Sequence, residues 1–174
     1  MVASPLLYGA LGAAKFGVLS IVLLTPQLAL AIDFGLLQSS VRRYAGLLHT
    51  RPADVAATFA AYSVGLAVAG VFLAISLWLA APALSRQLGF DEAIGEAEAR
   101  RLIVSCAVWA ALALATSAPW ALARGAQRFE IVAAVQTLAT VGLWAGAALI
   151  VVLGQPMRLV VALGTAITLL AALA

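Results

Sequence analysis

Charge is scarce in this chain of 174 residues. Asp, Glu, Lys and Arg make up 10% of the residues and hydrophobic residues make up 65%, whereas a soluble domain has about 25% charged residues. A water-exposed surface cannot be built from this composition, which excludes an ordinary soluble domain. The few charges lie mainly within residues 33–54, 86–101 and 124–130, and long uncharged stretches separate them.

Residues that carry acid–base, nucleophilic or metal chemistry are almost absent from the uncharged stretches. His49 is the only histidine and Cys106 the only cysteine, so the chain offers neither an internal disulfide nor a set of metal ligands. It also lacks a Gly-rich phosphate loop and a basic run interleaved with aromatic residues. We therefore expect no enzymatic activity, no cofactor, no metal and no nucleic-acid partner, and we interpret Cys106 as a packing or lipid-facing residue.

Five apolar stretches approach the length that crosses a membrane, which is about 20 helical residues for a ~30 Å hydrocarbon core. They cover roughly residues 14–32, 55–81, 101–123, 131–153 and 157–174. The predicted fold is therefore an all-α, polytopic bundle of about five transmembrane helices, with the lipid bilayer as its immediate partner. The last stretch reaches the final residue without a polar tail, which suggests a fragment of a longer protein.

The segments between the spans also carry helical patterns. Residues 33–54 have apolar positions at helical spacing, which predicts an amphipathic helix at the membrane interface. Residues 86–101 place acidic side chains before Arg100 and Arg101, as expected at the start of a helix. With alternating sides, each face of the membrane receives five Lys or Arg residues, so the positive-inside rule does not decide the orientation.

Small residues and prolines mark the helices at specific points. Gly142 and Gly146 form a G-x-x-x-G pattern, and Gly65 with Ala69 makes a similar face, which predicts close helix packing at these glycines. Pro26, followed by Gln27, interrupts the first span and Pro119 the third. Such prolines either line a water-filled path or are tolerated kinks.

Asp33 is the carboxylate of most interest, because it stands at the end of an apolar span and precedes Arg42 and Arg43. One interpretation is that the helix has simply reached water there. The other is a role in cation coupling, or in orienting the arginines towards an anionic lipid headgroup.

Three segments resemble the oligosaccharide and polysaccharide flippases of the multidrug/oligosaccharidyl-lipid/polysaccharide exporter superfamily. Residues 11–17 (LGAAKFG) are similar to the L-G-x-x-x-[FY]-G loop between the family's first two helices. Residues 33–36 (DFGL), with Arg42 and Ala45, are similar to its D-x-G-L…R-x-x-A stretch. Residues 122–129 (LARGAQRF) are similar to its L-x-x-G-x-Q-R-[FY] turn. The three occur in the family's order between apolar spans, and the resemblance extends over essentially the whole chain.

The resemblance implies that residues 1–174 form part of the N-terminal six-helix lobe of a two-lobe transporter, namely its helices two to six, without the first helix and the second lobe. It implies a multi-pass protein of the cell inner (plasma) membrane that flips undecaprenyl-diphosphate-linked oligosaccharide for O-antigen, capsule or exopolysaccharide synthesis. It also places the segments around residues 33–54 and 124–130 in the cytoplasm. The candidate substrate-binding residues are then Asp33, Arg42, Arg43, Arg124 and Arg128, because guanidinium groups bind phosphate in bidentate fashion.

Two other functions stay open at this point. A cation-coupled drug exporter of the same superfamily would be expected to carry acidic residues within the membrane, and residues 55–85 and 102–123 contain no Asp or Glu. A small accessory membrane subunit would use the G-x-x-x-G face to bind a larger partner.

Overall fold

A computed structural model describes residues 3–31 and 35–173 of the chain, and within these ranges it contains helices and no strands. The predicted all-α class is confirmed. In chain order the helices are α1 (Ala3–Ala31), α2 (Leu36–Thr50), α3 (Val55–Gln87), α4 (Phe90–Ile94), α5 (Glu96–Ala115), α6 (Ala118–Gly125), α7 (Phe129–Val152) and α8 (Arg158–Leu173), with a 3-10 turn at Pro52–Asp54 before α3.

Within the described ranges, four helical stretches are long and apolar enough to cross a membrane. They are Leu11–Ala31, Pro52–Gln87, Glu96–Gly125 and Phe129–Val152. These stretches overlap the first four predicted spans, and their length and hydropathy are those of a membrane protein. The predicted span at residues 157–174 corresponds to the shorter apolar helix α8, which has 16 residues.

Helix α1 contains a break at Gly12 and passes through Pro26. Gly12 has a φ of 74° and a ψ of 167°, a conformation that residues with a Cβ rarely adopt. The residues on either side of Gly12 are helical, so residues 11–17, for which the resemblance implies a loop between two helices, lie within α1. At Pro26, in contrast, the helix continues to Ala31, although proline has no N–H to donate to the carbonyl of Val22.

Helix α5 lies at the centre of the bundle, where it contacts α1, α3, α4 and α8. Of the most apolar 18 residues in the Glu96–Gly125 stretch, 56% are buried, against 6% in α7. The core around α5 includes Val22 of α1, Phe90 of α4 and Val161 of α8. Cys106 belongs to the same core and is buried, so packing is the role the structure gives it.

The glycines show where helices approach each other. A Cβ placed on Gly146 would collide with the side chain of Leu163, and one on Gly142 would contact Ile167 at 3.7 Å. Both glycines of the G-x-x-x-G pattern therefore face α8. At Gly65 a Cβ would meet no atom within 4 Å, whereas at Gly70 it would lie 2.7 Å from the carbonyl oxygen of Ala111.

The expectation of close packing at Gly65 is thus corrected to Gly70. Five residues along an α-helix correspond to a rotation of about 140°, so the two glycines lie on different faces of α3. The face that meets α5 includes Gly70 and the fully buried Leu66. Gly65 lies where a side chain would find open space.

The amphipathic helix predicted within residues 33–54 is α2, at Leu36–Thr50. Its apolar face, with Leu37, Tyr44 and Leu47, is buried, and it packs mainly against α6 and α3. Arg42 and Arg43 lie on its exposed face. The helix predicted near Arg100 is also confirmed, since α5 begins at Glu96 with acidic residues in its first turn.

Candidate functional site

Five helices, α1, α5, α6, α7 and α8, contribute residues to the wall of an open cavity of about 340 Å³. Its lining is partly polar, which is unusual inside a bundle made of such apolar helices, because polar groups are costly within a membrane and are commonly functional there. The side chains that contribute polar groups or indole rings to it are Gln27, Trp109, Ser117, Trp120, Gln136, Thr140 and Thr168.

Three of these polar side chains are engaged in hydrogen bonds within the bundle. The indole Nε1 of Trp109 donates to Oγ1 of Thr168 over 2.9 Å, and the Thr168 hydroxyl donates to the carbonyl of Gly164 over 2.8 Å. The Ser117 hydroxyl donates to the carbonyl of Leu114 over 2.7 Å. The Trp109–Thr168 bond ties α5 to α8, and the other two bonds are local to their own segments. We assign all three a structural role.

Gln27 on α1 and Gln136 on α7 differ from that group. Neither side-chain amide has a hydrogen-bond partner within residues 3–31 and 35–173, and the same holds for the hydroxyl of Thr140. All three residues are exposed on the wall of the open cavity. Each amide carries two N–H donors and a carbonyl acceptor, and leaving them unpaired in hydrocarbon is unfavourable. Their position on the cavity wall gives these groups a place to bind water or a polar ligand.

A break in the third span shapes the mouth of this cavity. Helix α5 ends at Ala115 and α6 begins at Ala118, and Pro119 occupies the first turn of α6. The interruption predicted at Pro119 is therefore confirmed. The Thr116 hydroxyl donates to the Leu112 carbonyl over 2.7 Å, and the same carbonyl also accepts from the Thr116 backbone N–H over 2.9 Å. Ser117 and Trp120 flank the break and line the cavity.

The second and third family-like segments lie against each other. Gly125 of α6 packs against α2 so closely that a Cβ on it would lie 2.6 Å from Cβ of Tyr44 and 3.2 Å from the carbonyl of Val41. Arg124 precedes Gly125, and Arg42 and Arg43 follow Val41. The contact thus brings together the backbone segments that carry three of the candidate substrate-binding arginines.

The arginines themselves are accessible and carry uncompensated charge. Arg42, Arg43 and Arg128 are exposed, and Arg124 is half-buried. In the described part of the chain, no acidic side chain lies within 4.0 Å of their guanidinium groups. Asp33, the fifth candidate, lies outside the described residues. Among those that are described, no group of three or more His, Cys, Asp or Glu residues forms a metal site.

Tyr44 forms part of the α2–α6 contact and is fully buried. Its ring lies edge-on to that of Tyr62, with 6.0 Å between the centroids, and its hydroxyl has no hydrogen-bond partner in the described part of the chain. Burial raises the pKa of the Tyr44 hydroxyl above its ordinary value, and the neighbouring Tyr62 adds to this shift. The hydroxyl is therefore neutral at physiological pH.

We expect Tyr44→Phe to stabilise the chain by about 1 kcal/mol, because it removes a desolvated hydroxyl without breaking a hydrogen bond. Thermal unfolding in detergent, followed by circular dichroism, measures the change. Tyr8→Phe, at an exposed tyrosine, is the control and should have no effect.

The raised pKa of Tyr44 in the folded state also predicts a pH dependence. The free energy of unfolding of the native chain should fall as the pH rises above about 10, and that of Tyr44→Phe should fall less. A Tyr44→Phe variant less stable than the native chain would contradict the assignment of the Tyr44 hydroxyl as buried without a hydrogen-bond partner among the described residues.

A second cavity, of about 210 Å³, lies between α1, α3 and α5 and is almost entirely apolar. Thr25, Leu77 and Cys106 are among the residues that line it. It offers no charged group and little hydrogen-bonding capacity, so we place the candidate site at the polar cavity and the arginine segments beside it.

The sequence interpretation noted Gln27 only as the neighbour of Pro26, and it did not single out Gln136 or Thr140. An isolated amide within an apolar span is the signal that would have pointed to both glutamines. Comparison of the chain with protein-family models, with curated proteins and with solved structures finds no match.

Proposed function

We propose that this chain is part of a membrane flippase that moves undecaprenyl-diphosphate-linked oligosaccharide across the cell inner (plasma) membrane, for O-antigen, capsule or exopolysaccharide synthesis. Its role is transport rather than catalysis. Two observations carry the proposal. Helices α6 and α7 line the polar cavity and also carry or adjoin Arg124 and Arg128, and α6 packs against α2, which carries Arg42 and Arg43. No acidic side chain of the described residues lies within 4.0 Å of these arginines.

The architecture that we propose is five spans of an N-terminal lobe, with α8 as the fifth. Sixteen helical residues extend about 24 Å, which is close to the thickness of the hydrocarbon core. A second lobe of the same transporter would complete the path, as in the family that the three segments resemble. In the orientation that the resemblance implies, α2 and the α6–α7 turn lie on the cytoplasmic side, where a diphosphate-linked sugar lipid is loaded.

Chemistry supports this assignment of the arginines. The substrate has a doubly anionic headgroup, and a guanidinium forms charge-assisted, bidentate hydrogen bonds with phosphate oxygens. Because no acidic side chain of the described residues pairs with these arginines, their donors are free for such a ligand. Their interfacial position suits a headgroup whose polyprenyl tail stays in lipid.

The alternative of an accessory subunit is disfavoured by the helix packing. Gly142 and Gly146, which such a subunit would use to bind a partner, already face Leu163 and Ile167 of α8. The alternative of a cation-coupled drug exporter is disfavoured by the cavity, because no ionisable residue lines it among those described.

The proposal is tested by replacing Arg42, Arg43, Arg124 and Arg128 with Gln in the full-length protein. Each hydrogen bond to a charged group contributes about 1.5–3 kcal/mol, so transport of lipid-linked sugar should fall more than about tenfold at unchanged protein level. Surface glycan and accumulated lipid-linked precursor are the readouts, and an immunoblot gives the protein level. Arg100→Gln with Arg101→Gln, two exposed arginines near the opposite face, is the matched control and should transport normally.

Unaltered transport in the fourfold variant would refute the assignment of the arginines. The lobe assignment has a separate test in the coding DNA beyond codon 174. An open reading frame with about eight more apolar spans would support a two-lobe transporter, and a stop codon at that point would contradict it.

A further inference from the structure

The polar cavity and the arginines are arranged in a definite order along the helices. On α6, Trp120 lines the cavity and Arg124 follows four residues later, which is one helical turn or about 6 Å. On α7, Arg128 stands at the N-terminal end and Gln136 lines the cavity eight residues later, about 12 Å further along the helix. The charged groups therefore lie towards one end of the bundle, and the neutral polar groups lie deeper.

The chemistry of the deeper groups defines what they can bind. Among the described residues that line the cavity, none is Asp, Glu, Lys, Arg or His, so an ion placed against them would lose its hydration without gaining a counter-charge. The unpaired groups of Gln27, Gln136 and Thr140 can both donate and accept hydrogen bonds. Trp120 adds an aromatic surface with an N–H group. A neutral ring that carries several hydroxyl groups matches this set.

The volume is consistent with a small ligand group. Small-molecule sites in proteins span about 300–1,000 Å³, and the cavity, at about 340 Å³, lies at the lower end of that range. A long glycan would not fit inside the bundle. One or two rings would, provided that the rest of the ligand extends towards the arginines.

We infer that this cavity, inside a single lobe, is a subsite for the sugar ring attached to the diphosphate. Arg124 and Arg128 hold the diphosphate, and the ring lies deeper, against Gln27, Gln136 and Trp120. This inference rests on the proposed function and adds to it a position and an orientation for the substrate. The sugar ring enters the cavity, and the diphosphate stays at the interface.

The ligand chemistry, a sugar esterified to a diphosphate, has two sources, which are a polyprenyl-linked sugar and a soluble nucleotide sugar. Binding is measured with the full-length protein in lipid nanodiscs. The probes are undecaprenyl diphosphate N-acetylglucosamine, undecaprenyl diphosphate without sugar, and uridine diphosphate N-acetylglucosamine. The variants are Gln27→Leu with Gln136→Leu, Arg124→Gln with Arg128→Gln, and, as a matched control, Thr137→Val. Thr137 and Gln136 are neighbours on α7 and both are exposed, but Thr137 does not line the cavity.

The glutamine variant should bind the glycosylated lipid at least about tenfold more weakly, because two hydrogen bonds of about 1 kcal/mol each are lost. Its affinity for the lipid without sugar should stay within about twofold of the native protein. The arginine variant should lose affinity for both lipids, and Thr137→Val for neither. Circular dichroism of each variant confirms that the helices are retained.

The inference would be overturned if the glutamine variant lost affinity equally for both lipids, or lost affinity for neither. The result for the arginine variant, and with it the proposed function, would be unaffected. If instead the arginine variant bound both lipids normally, the proposed function would fail. Nucleotide sugar that bound as tightly as the glycosylated lipid would contradict a lipid-linked source, on which the inference depends.

Discussion

Replacing Gly164 with Val should prevent the bundle from packing. A Cβ at this position would lie 2.6 Å from Cη2 and 2.7 Å from Cε2 of Trp109, and closer still to Cζ2. The indole cannot move away easily, because the side chain is buried and its Nε1 is hydrogen-bonded to Thr168. Overpacking of this kind costs about 3 kcal/mol or more, so α8 should detach from α5.

Two measurements check this expectation. Fluorescence-detected size exclusion in detergent should show less folded monomer, and tryptophan emission should shift towards the red as Trp109 becomes exposed. Ala162→Val is the control, since it adds the same kind of volume at an exposed position of the same helix, and it should behave as the native chain. A Gly164→Val variant with native emission and native thermal stability would contradict the α5–α8 contact.

The second large effect is expected at Gly70, and it has a built-in comparison. Alanine at Gly70 would place a Cβ 2.7 Å from the carbonyl oxygen of Ala111 and 3.3 Å from its carbonyl carbon. These are backbone atoms of a helix, so they cannot rotate out of the way. Gly70→Ala should therefore force α3 and α5 apart and destabilise the chain by about 2–3 kcal/mol.

Alanine at Gly65, five residues earlier, should stabilise the chain rather than destabilise it. Gly65→Ala meets no atom within 4 Å and replaces a residue with poor helix propensity by the best one, which favours the helix by up to about 1 kcal/mol. Thermal unfolding of both variants in one detergent gives the comparison. Similar stabilities for the two variants would show that α3 does not meet α5 at the face described.

The positions of the apolar helices could be read from the sequence because hydropathy and length are local properties. The uncharged residues of α3, the helical spacing in α2 and the proline that starts α6 each act within one segment. The face on which a helix packs is set by other segments. That is why Gly142 and Gly146 could be recognised as small-residue positions, while Gly65 was chosen over Gly70.

The cavity could not be predicted for the same reason. Gln27 and Gln136 lie on different helices, 109 residues apart in the sequence, and nothing in the local pattern says that they share one space. Their apolar neighbours identify each amide as exceptional, but only the packing of α1 and α7 with α5 and α8 places both on one cavity wall. The arginines of residues 33–54 and 124–130 were recognised as candidates through the family-like segments, whereas the contact of those segments at Gly125 required the structure.

The single thiol of the chain offers a way to follow the movements of the bundle. Cys106 is buried on the wall of the apolar cavity between α1, α3 and α5, so its reaction with a maleimide should be slow in the native state and faster when those helices separate. Comparing this rate with the rate of a freely accessible thiol gives the free energy of that opening. No engineered cysteine is needed, because Cys106 is the only thiol of the chain and its labelling reports the opening of these helices.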